Sequence, residues 1–265
     1  MFKTPRDVEV RFKNSLGAIG PLMCVADIAA NELVSNNDNQ QVTSLSRAYN
    51  HKNLNLEKVD LSVVSLYVNL AHVAYINSRA ELFCDNSVEF IKEHTGNSNS
   101  YNIDSIDFLR KAVFQIHVRK HGIDKKVRKL DESIYLEYIG KEELTVIDYF
   151  RKMRNVEFHG GVQGASPVGQ DENELIYKRF KHRLNPFHEI AVRDVILYSQ
   201  AWQSAAKNIC SNLVDIDNEL LGKLLTRYSN YSDERKNNAI AQKLEHDYLQ
   251  PKYVVNTLKD NGWVA

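Results

Sequence analysis

Arginine, asparagine and histidine stand close together in the segment Asp148–Gly161, DYFRKMRNVEFHGG, at Arg154, Asn155 and His159. These three side chains form a sensible minimum set for breaking RNA without a metal. The 2′-hydroxyl must lose a proton as it attacks the neighbouring phosphate. The leaving 5′-oxygen must gain one. Negative charge building on the phosphoryl oxygens must be balanced. An imidazole near its ordinary pKa of ~6.5 can serve as base or acid. A guanidinium stays charged and presents paired donors to phosphate. Asn155 can orient either the histidine or the RNA.

The spacing is helical. Val146, Tyr149, Phe150, Met153 and Val156 form one apolar stripe, which predicts a helix from about Glu142 to His159. Gly160-Gly161 is the expected stop, because glycine accepts the left-handed conformation found there. Asn155 and His159, four residues apart, are neighbours on the surface. Arg154 and His159 lie about 140° apart on an ideal helix. They converge on one phosphate only if the helix end loosens, if the arginine curls across, or if each copy serves the other's site. A plainer reading pairs Arg154 with Glu157 and leaves His159 as a cation favoured at the negative helix end.

Arg154-Asn155-x-x-x-His159 resembles the Arg-(polar)-x(3)-His signature of HEPN domains, and the likeness is confined to the segment from Asp148 to Gly161. The resemblance implies an all-α fold: an antiparallel helical bundle with a core over about 54–217 and helical extensions at 1–53 and 218–265. It also implies a metal-independent ribonuclease of a toxin or anti-phage system, without a cofactor. Arg154, Asn155 and His159 would be catalytic. Paired domains in that family line a shared cleft with two motif helices, which implies a homodimer, an RNA substrate, and an antitoxin or defence partner. Two departures are visible, one of them that the chain is long for a minimal domain of that family. Some toxins of that family continue the motif as His-x-Tyr, whereas His159 here is followed by Gly160-Gly161. The alternative is a non-catalytic helical module of the same fold that binds RNA or protein.

Composition agrees with a helical globular chain. Of the 265 residues, 43% are hydrophobic and 26% charged, enough to bury one large core, and a single domain is expected. The formal net charge is zero, so any nucleic-acid contact must come from local patches. Two stretches qualify. Residues 119–129 hold Arg119, Lys120, Lys125, Lys126, Arg128 and Lys129 against Asp124 alone, a credible phosphate patch. Residues 174–185 interleave Tyr177 and Phe180 with Lys178, Arg179, Lys181, His182 and Arg183, a composition suited to single-stranded RNA. A solvated face explains either stretch equally well. Cys24, Cys84 and Cys210 fall in apolar helical patterns and read as buried, reduced thiols. With no apolar run long enough for a membrane span and no signal-peptide pattern, the cytoplasm is expected.

The elements that position the motif read as follows. Residues 5–34 predict one or two helices, with the break at Gly20-Pro21 and Leu22, Val25, Ile28, Ala29 and Leu33 on the buried side. Residues 35–53 read as a polar loop. Residues 55–94 carry the strongest helical pattern, through Val63, Leu66, Leu70, Val73, Ala80, Cys84 and Ile91. A helix capped by Asp104 or Ser105 runs to His121. His117 and His121 share the i, i+4 spacing of helical metal ligands, but no third ligand is evident, so a metallohydrolase ranks last. Residues 133–139 are ambiguous between strand and helix. Residues 160–173 form a glycine-rich connector, and helices recur after Pro186, from Leu220, from Ser232 and from Pro251. Trp263 is expected to dock the tail.

Overall fold

The structure, a computed structural model, describes residues 2–17, 19–36, 39–51, 58–97, 107–124, 126–159 and 168–265, with side chains described throughout except at 33, 34, 36 and 155–159. The α-helices among them are, in chain order, α1 (Pro5–Leu16), α2 (Ile19–Asn36), α3 (Asn39–Ala48), α4 (Val64–Thr95), α5 (Phe108–His121), α6 (Glu132–Ile139), α7 (Lys141–His159), α8 (Gln170–Phe180), α9 (Val192–Ser211), α10 (Asn218–Arg227), α11 (Asp233–His246) and α12 (Lys252–Asp260). Short 3-10 turns occur at Leu61–Val63 and Phe187–Glu189. No strand occurs among the described residues, so the chain is all-α as the sequence predicts. No described helix is long and apolar enough to cross a membrane.

Helix starts are set by side chains that accept the orphan N–H groups of the first turn. Asp107 accepts from the Arg110 N–H at 2.7 Å, Asp131 from Ser133 at 2.9 Å, and Asp217 from Leu220 at 2.8 Å. The cap of α5 is therefore Asp107; Asp104 and Ser105 lie outside the described residues. Gly122, at φ 64°, closes the same helix in the left-handed conformation. Residues 133–139, ambiguous in sequence, are helical because Asp131 caps them.

Four expectations are corrected, the last being that Cys24 is buried. The break between α1 and α2 falls after Leu16, and Gly20-Pro21 sits in the first turn of α2. Proline is tolerated there because first-turn N–H groups have no intrahelical acceptor. The polar stretch 35–53 contains a helix, α3. On α2 the buried residues are Met23 and Ala30, while Leu22, Val25 and Ile28 are exposed. Cys24 shares that exposed side, whereas Cys84 and Cys210 are buried, with thiols pushed well up by desolvation.

The chain divides into two compact units. The first comprises Met1–Ser15, Arg79–Leu144 and Trp202–Ala265. Its aromatic centre sets Trp202 against Phe108, stacked at 5.8 Å, and against the edge of Phe12 at 6.5 Å. Leu221, Leu224, Ile240, Leu244 and Val255 form a C-terminal cluster with Trp263. The Trp263 indole N–H donates to Asn237 at 2.8 Å, so the tail docks as predicted. The second unit comprises Leu16–Ser78 and Thr145–Ala201. There Phe150 stacks on Tyr198 at 4.3 Å, the Tyr198 hydroxyl donates to Asn77 at 2.7 Å, and buried Asn69 donates to the Ile190 carbonyl at 3.2 Å.

The start of α7 is fixed by a corner in the first unit. Gly140, at φ 98°, receives no side chain because a Cβ there collides with the Glu143 carboxylate. Glu143 is buried and accepts from the Ser204 hydroxyl at 2.7 Å, and Asn208 donates to the Ile139 carbonyl at 2.9 Å. Gly140→Ala is expected to cost more than about 1 kcal/mol, since it adds left-handed strain to the loss of the Glu143 position. A lowered urea midpoint with unchanged helicity at low urea checks this.

Candidate functional site

Helix α7 buries one face completely. Val146, Ile147, Tyr149, Phe150 and Met153 are all in the core. Arg154 is half-buried and lies about 70° from the centre of that face; the positions of Asn155 and His159 fall nearly opposite it. The side chains of Asn155 and His159, like Glu157 and Gly160-Gly161, lie outside the described residues. Arg151 pairs with Asp148 at 3.1 Å, whereas no described residue engages the Arg154 guanidinium. A half-exposed cation beside a closed apolar face can hold an anion from solution.

The two basic stretches differ. In 119–129 the first two cations serve the fold: Arg119 donates to the Val88 carbonyl at 3.2 Å, and Lys120 bonds the Asn212 carbonyl at 2.8 Å and Asp215 at 2.9 Å. Lys126, Arg128 and Lys129 are exposed, and Lys125 lies outside the described residues. In 174–185, Lys178, Arg179 and Lys181 are exposed around the C-terminal end of α8. Arg183 lies over the Tyr177 ring at 4.1 Å and pairs with Glu174 at 2.8 Å. Its charge is partly compensated, but the outer side of the guanidinium forms a flat platform.

The segment joining α8 to α9 holds a polar network that the sequence reading passed over. Asp194, fully buried in the first turn of α9, accepts from four donors. These are His182 Nε2 at 3.1 Å, the Asn185 backbone N–H at 3.1 Å, Asn185 Nδ2 at 2.9 Å and the Ala191 N–H at 2.9 Å. Asn173 clamps the segment from α8, exchanging two hydrogen bonds with the Leu184 backbone. The Tyr149 hydroxyl on α7 donates to the Asn185 carbonyl, and its ring meets Phe187 edge-on at 4.7 Å. Burial raises the Tyr149 phenol well above its usual range, with Asp194 adding to the effect. The signal was present in sequence: an aspartate three residues into a helix that follows Asn185-Pro186.

His117 and His121 lie in the first unit with ring centres 4.5 Å apart, His117 Nδ1 meeting the Tyr138 hydroxyl at 3.3 Å. Among the described residues no group of three or more His, Cys, Asp or Glu is placed to hold a metal. Burial lowers the pKa of His72, and burial and then His121 lower that of His117. The unfolded chain therefore binds protons there more readily than the folded one. Stability from these two groups is fully present above ~6.5 and is lost as the pH falls from that value through their lower folded-state pKa. Melting temperature is expected to decline from pH 7 to pH 5.5, less so in His117→Gln. The depressed Asp60, Asp131 and Asp233 titrate at lower pH and do not confuse this window.

The fold and site define an all-α protein with a cationic residue at the edge of a helix whose core face is closed. No protein-family model, no curated protein and no solved structure matches the chain.

Proposed function

We propose that the chain is a metal-independent endoribonuclease of the toxin or anti-phage kind that its motif resembles, with Arg154, Asn155 and His159 as its catalytic set. Arg154 carries the reading: its guanidinium lies at the rim of α7, half-exposed and engaged by no described residue. The guanidinium neutralises the phosphoryl oxygens while imidazole moves the proton. A homodimer is part of the proposal, because one motif copy supplies one imidazole. Exposed Lys178, Arg179 and Lys181 supply phosphate contacts.

The test is incubation of purified protein with single-stranded RNA in EDTA. Cleavage giving 2′,3′-cyclic phosphate and 5′-hydroxyl ends supports the proposal. RNA binding that survives His159→Ala, with no cleavage by the wild type, supports the non-catalytic module instead. The exposed cations around Tyr177 favour that second reading if cutting fails.

A further inference from the structure

We propose that the outward face of α2 is the surface through which two copies of this chain pair, helix against helix and antiparallel. The choice of surface does not depend on the ribonuclease reading, which calls for two copies without saying where they meet. Helix α2 has two apolar sides. Met23 and Ala30 are buried. Leu22, Val25 and Ile28 are 58%, 64% and 62% exposed, and Pro21 and Ala29 are exposed beside them. These five residues span about 120° of the helix surface, opposite the buried side. A helix that is apolar all round is one that becomes covered all round, and α2 is not long and apolar enough to cross a membrane. The face is held in place: Asn31, on its flank, accepts from the Ser65 hydroxyl at 3.3 Å, which ties α2 to the start of α4.

The size of the face fits a second copy. Each of the three large side chains offers on the order of 100 Å². With Pro21 and Ala29 the patch reaches roughly 400 Å², the scale at which an apolar patch on a monomer marks an interaction site. A standard interface covers about 800 Å² on each partner, about 60% of it apolar. The patch therefore supplies most of the apolar area that pairing needs, and its polar border supplies the rest.

Charge selects the partner and the direction. Helix α2 carries Asp27 and Glu32 and no Lys, Arg or His, which suits neither an anionic bilayer nor nucleic acid. Two copies crossing at Val25 set Leu22 of each against Ile28 of the other, an isologous contact. Glu32 lies on the same face, about 10.5 Å along the axis from Val25. In antiparallel pairing it comes level with the first turn of the other copy's α2. That turn holds no acidic residue, and its N–H groups and dipole favour an anion. Parallel pairing would instead bring the two Glu32 carboxylates together, at a cost.

The experiment is sedimentation equilibrium of the full chain at micromolar concentration. The wild type is expected at twice the mass of one chain. Val25→Glu replaces an exposed side chain and sets two carboxylates against each other at the crossing point. Like charges so placed should raise the dissociation constant by about 100-fold or more, with helical circular dichroism unchanged. A second measurement uses the wild type alone. Cys24 is exposed, whereas Cys84 and Cys210 are buried. In the antiparallel pair both Cys24 thiols lie on one flank, one residue from the crossing point, with the helix axes about 8–10 Å apart. A short bis-maleimide should join two wild-type chains and should not join Cys24→Ser. A monomeric wild type overturns the proposal, whether or not it floats with phosphatidylcholine vesicles. So does a dimer that Val25→Glu leaves intact, or one whose Cys24 thiols the linker fails to join. RNA cleavage is read separately: a dimer joined through Cys24 that does not cut counts against the ribonuclease reading and supports this surface.

Discussion

His159→Ala is expected to lower RNA cleavage by about 10²–10⁴-fold, the range for removing a general acid or base. That loss corresponds to roughly 2.7–5.5 kcal/mol of transition-state stabilisation. Arg154→Ala should lose a comparable factor, through a different physical route: the developing charge on the phosphoryl oxygens would have no fixed counterion. Arg154→Lys separates charge from shape. A lysine retains the charge but not the paired donors, so an activity between wild type and Arg154→Ala is expected. The double variant should be little worse than the worse single one, since groups acting in one transition state are not additive. Cleavage by both alanine variants within about threefold of wild type, with product ends unchanged, would remove this segment from the chemistry.

How much of this was legible beforehand depended on where burial dictated the residue. The apolar stripe of α7 needed only its period, and Val146, Tyr149, Phe150 and Met153 are all buried as that period demands. Trp263 was legible for a similar reason, since so large an apolar ring near a chain end has much to gain from a core. The α1–α2 break was misplaced because proline was weighted by type and not by position within the first turn. The exposed Leu22, Val25 and Ile28 defeat any reading by pattern: α2 is apolar on several sides, and its small buried residue Ala30 carries no signal of direction. Helix α3 was hidden by its polarity, because Asn39, Gln40 and Gln41 resemble turn residues.

The candidate site was legible only as a pattern of types. Arg154 and His159 stand out because an arginine and a histidine carry chemistry wherever they occur. His182 was visible only as one member of a basic run. Nothing local marks it as the partner of a residue twelve positions on; that pairing requires the chain to turn at Asn185-Pro186 and to bring the first turn of α9 back beside the end of α8. By type Asp194 is one acidic residue near a helix start, like Glu189. The structure puts Glu189 in a 3-10 turn, exposed, and gives the helix start to Asp194.

Asp194→Ala is expected to destabilise the protein by about 3–5 kcal/mol, the cost of breaking a buried pair by removing one partner. The reasoning starts from four donors that lose their acceptor together: His182 Nε2, two groups of Asn185, and the Ala191 N–H. Each buried donor left without a partner costs about 1–3 kcal/mol, reduced where water enters the vacated space. Asp194→Asn should be nearly as harmful, and this is the sharper test. Both carboxylate oxygens accept two hydrogen bonds, Oδ1 from His182 and the Asn185 N–H, Oδ2 from Asn185 Nδ2 and Ala191. An amide has one oxygen, so one pair of donors must face an NH₂ whichever way it turns. Domains of ordinary stability, about 5–15 kcal/mol, would lose a large fraction of it. Urea midpoints followed by circular dichroism measure the change. Limited proteolysis across residues 181–191 should show early cutting in both variants, because Tyr149 and Asn173 would then be left holding a segment whose own anchor is gone. An Asp194→Asn protein as stable as wild type would mean that the buried carboxylate contributes little to the fold.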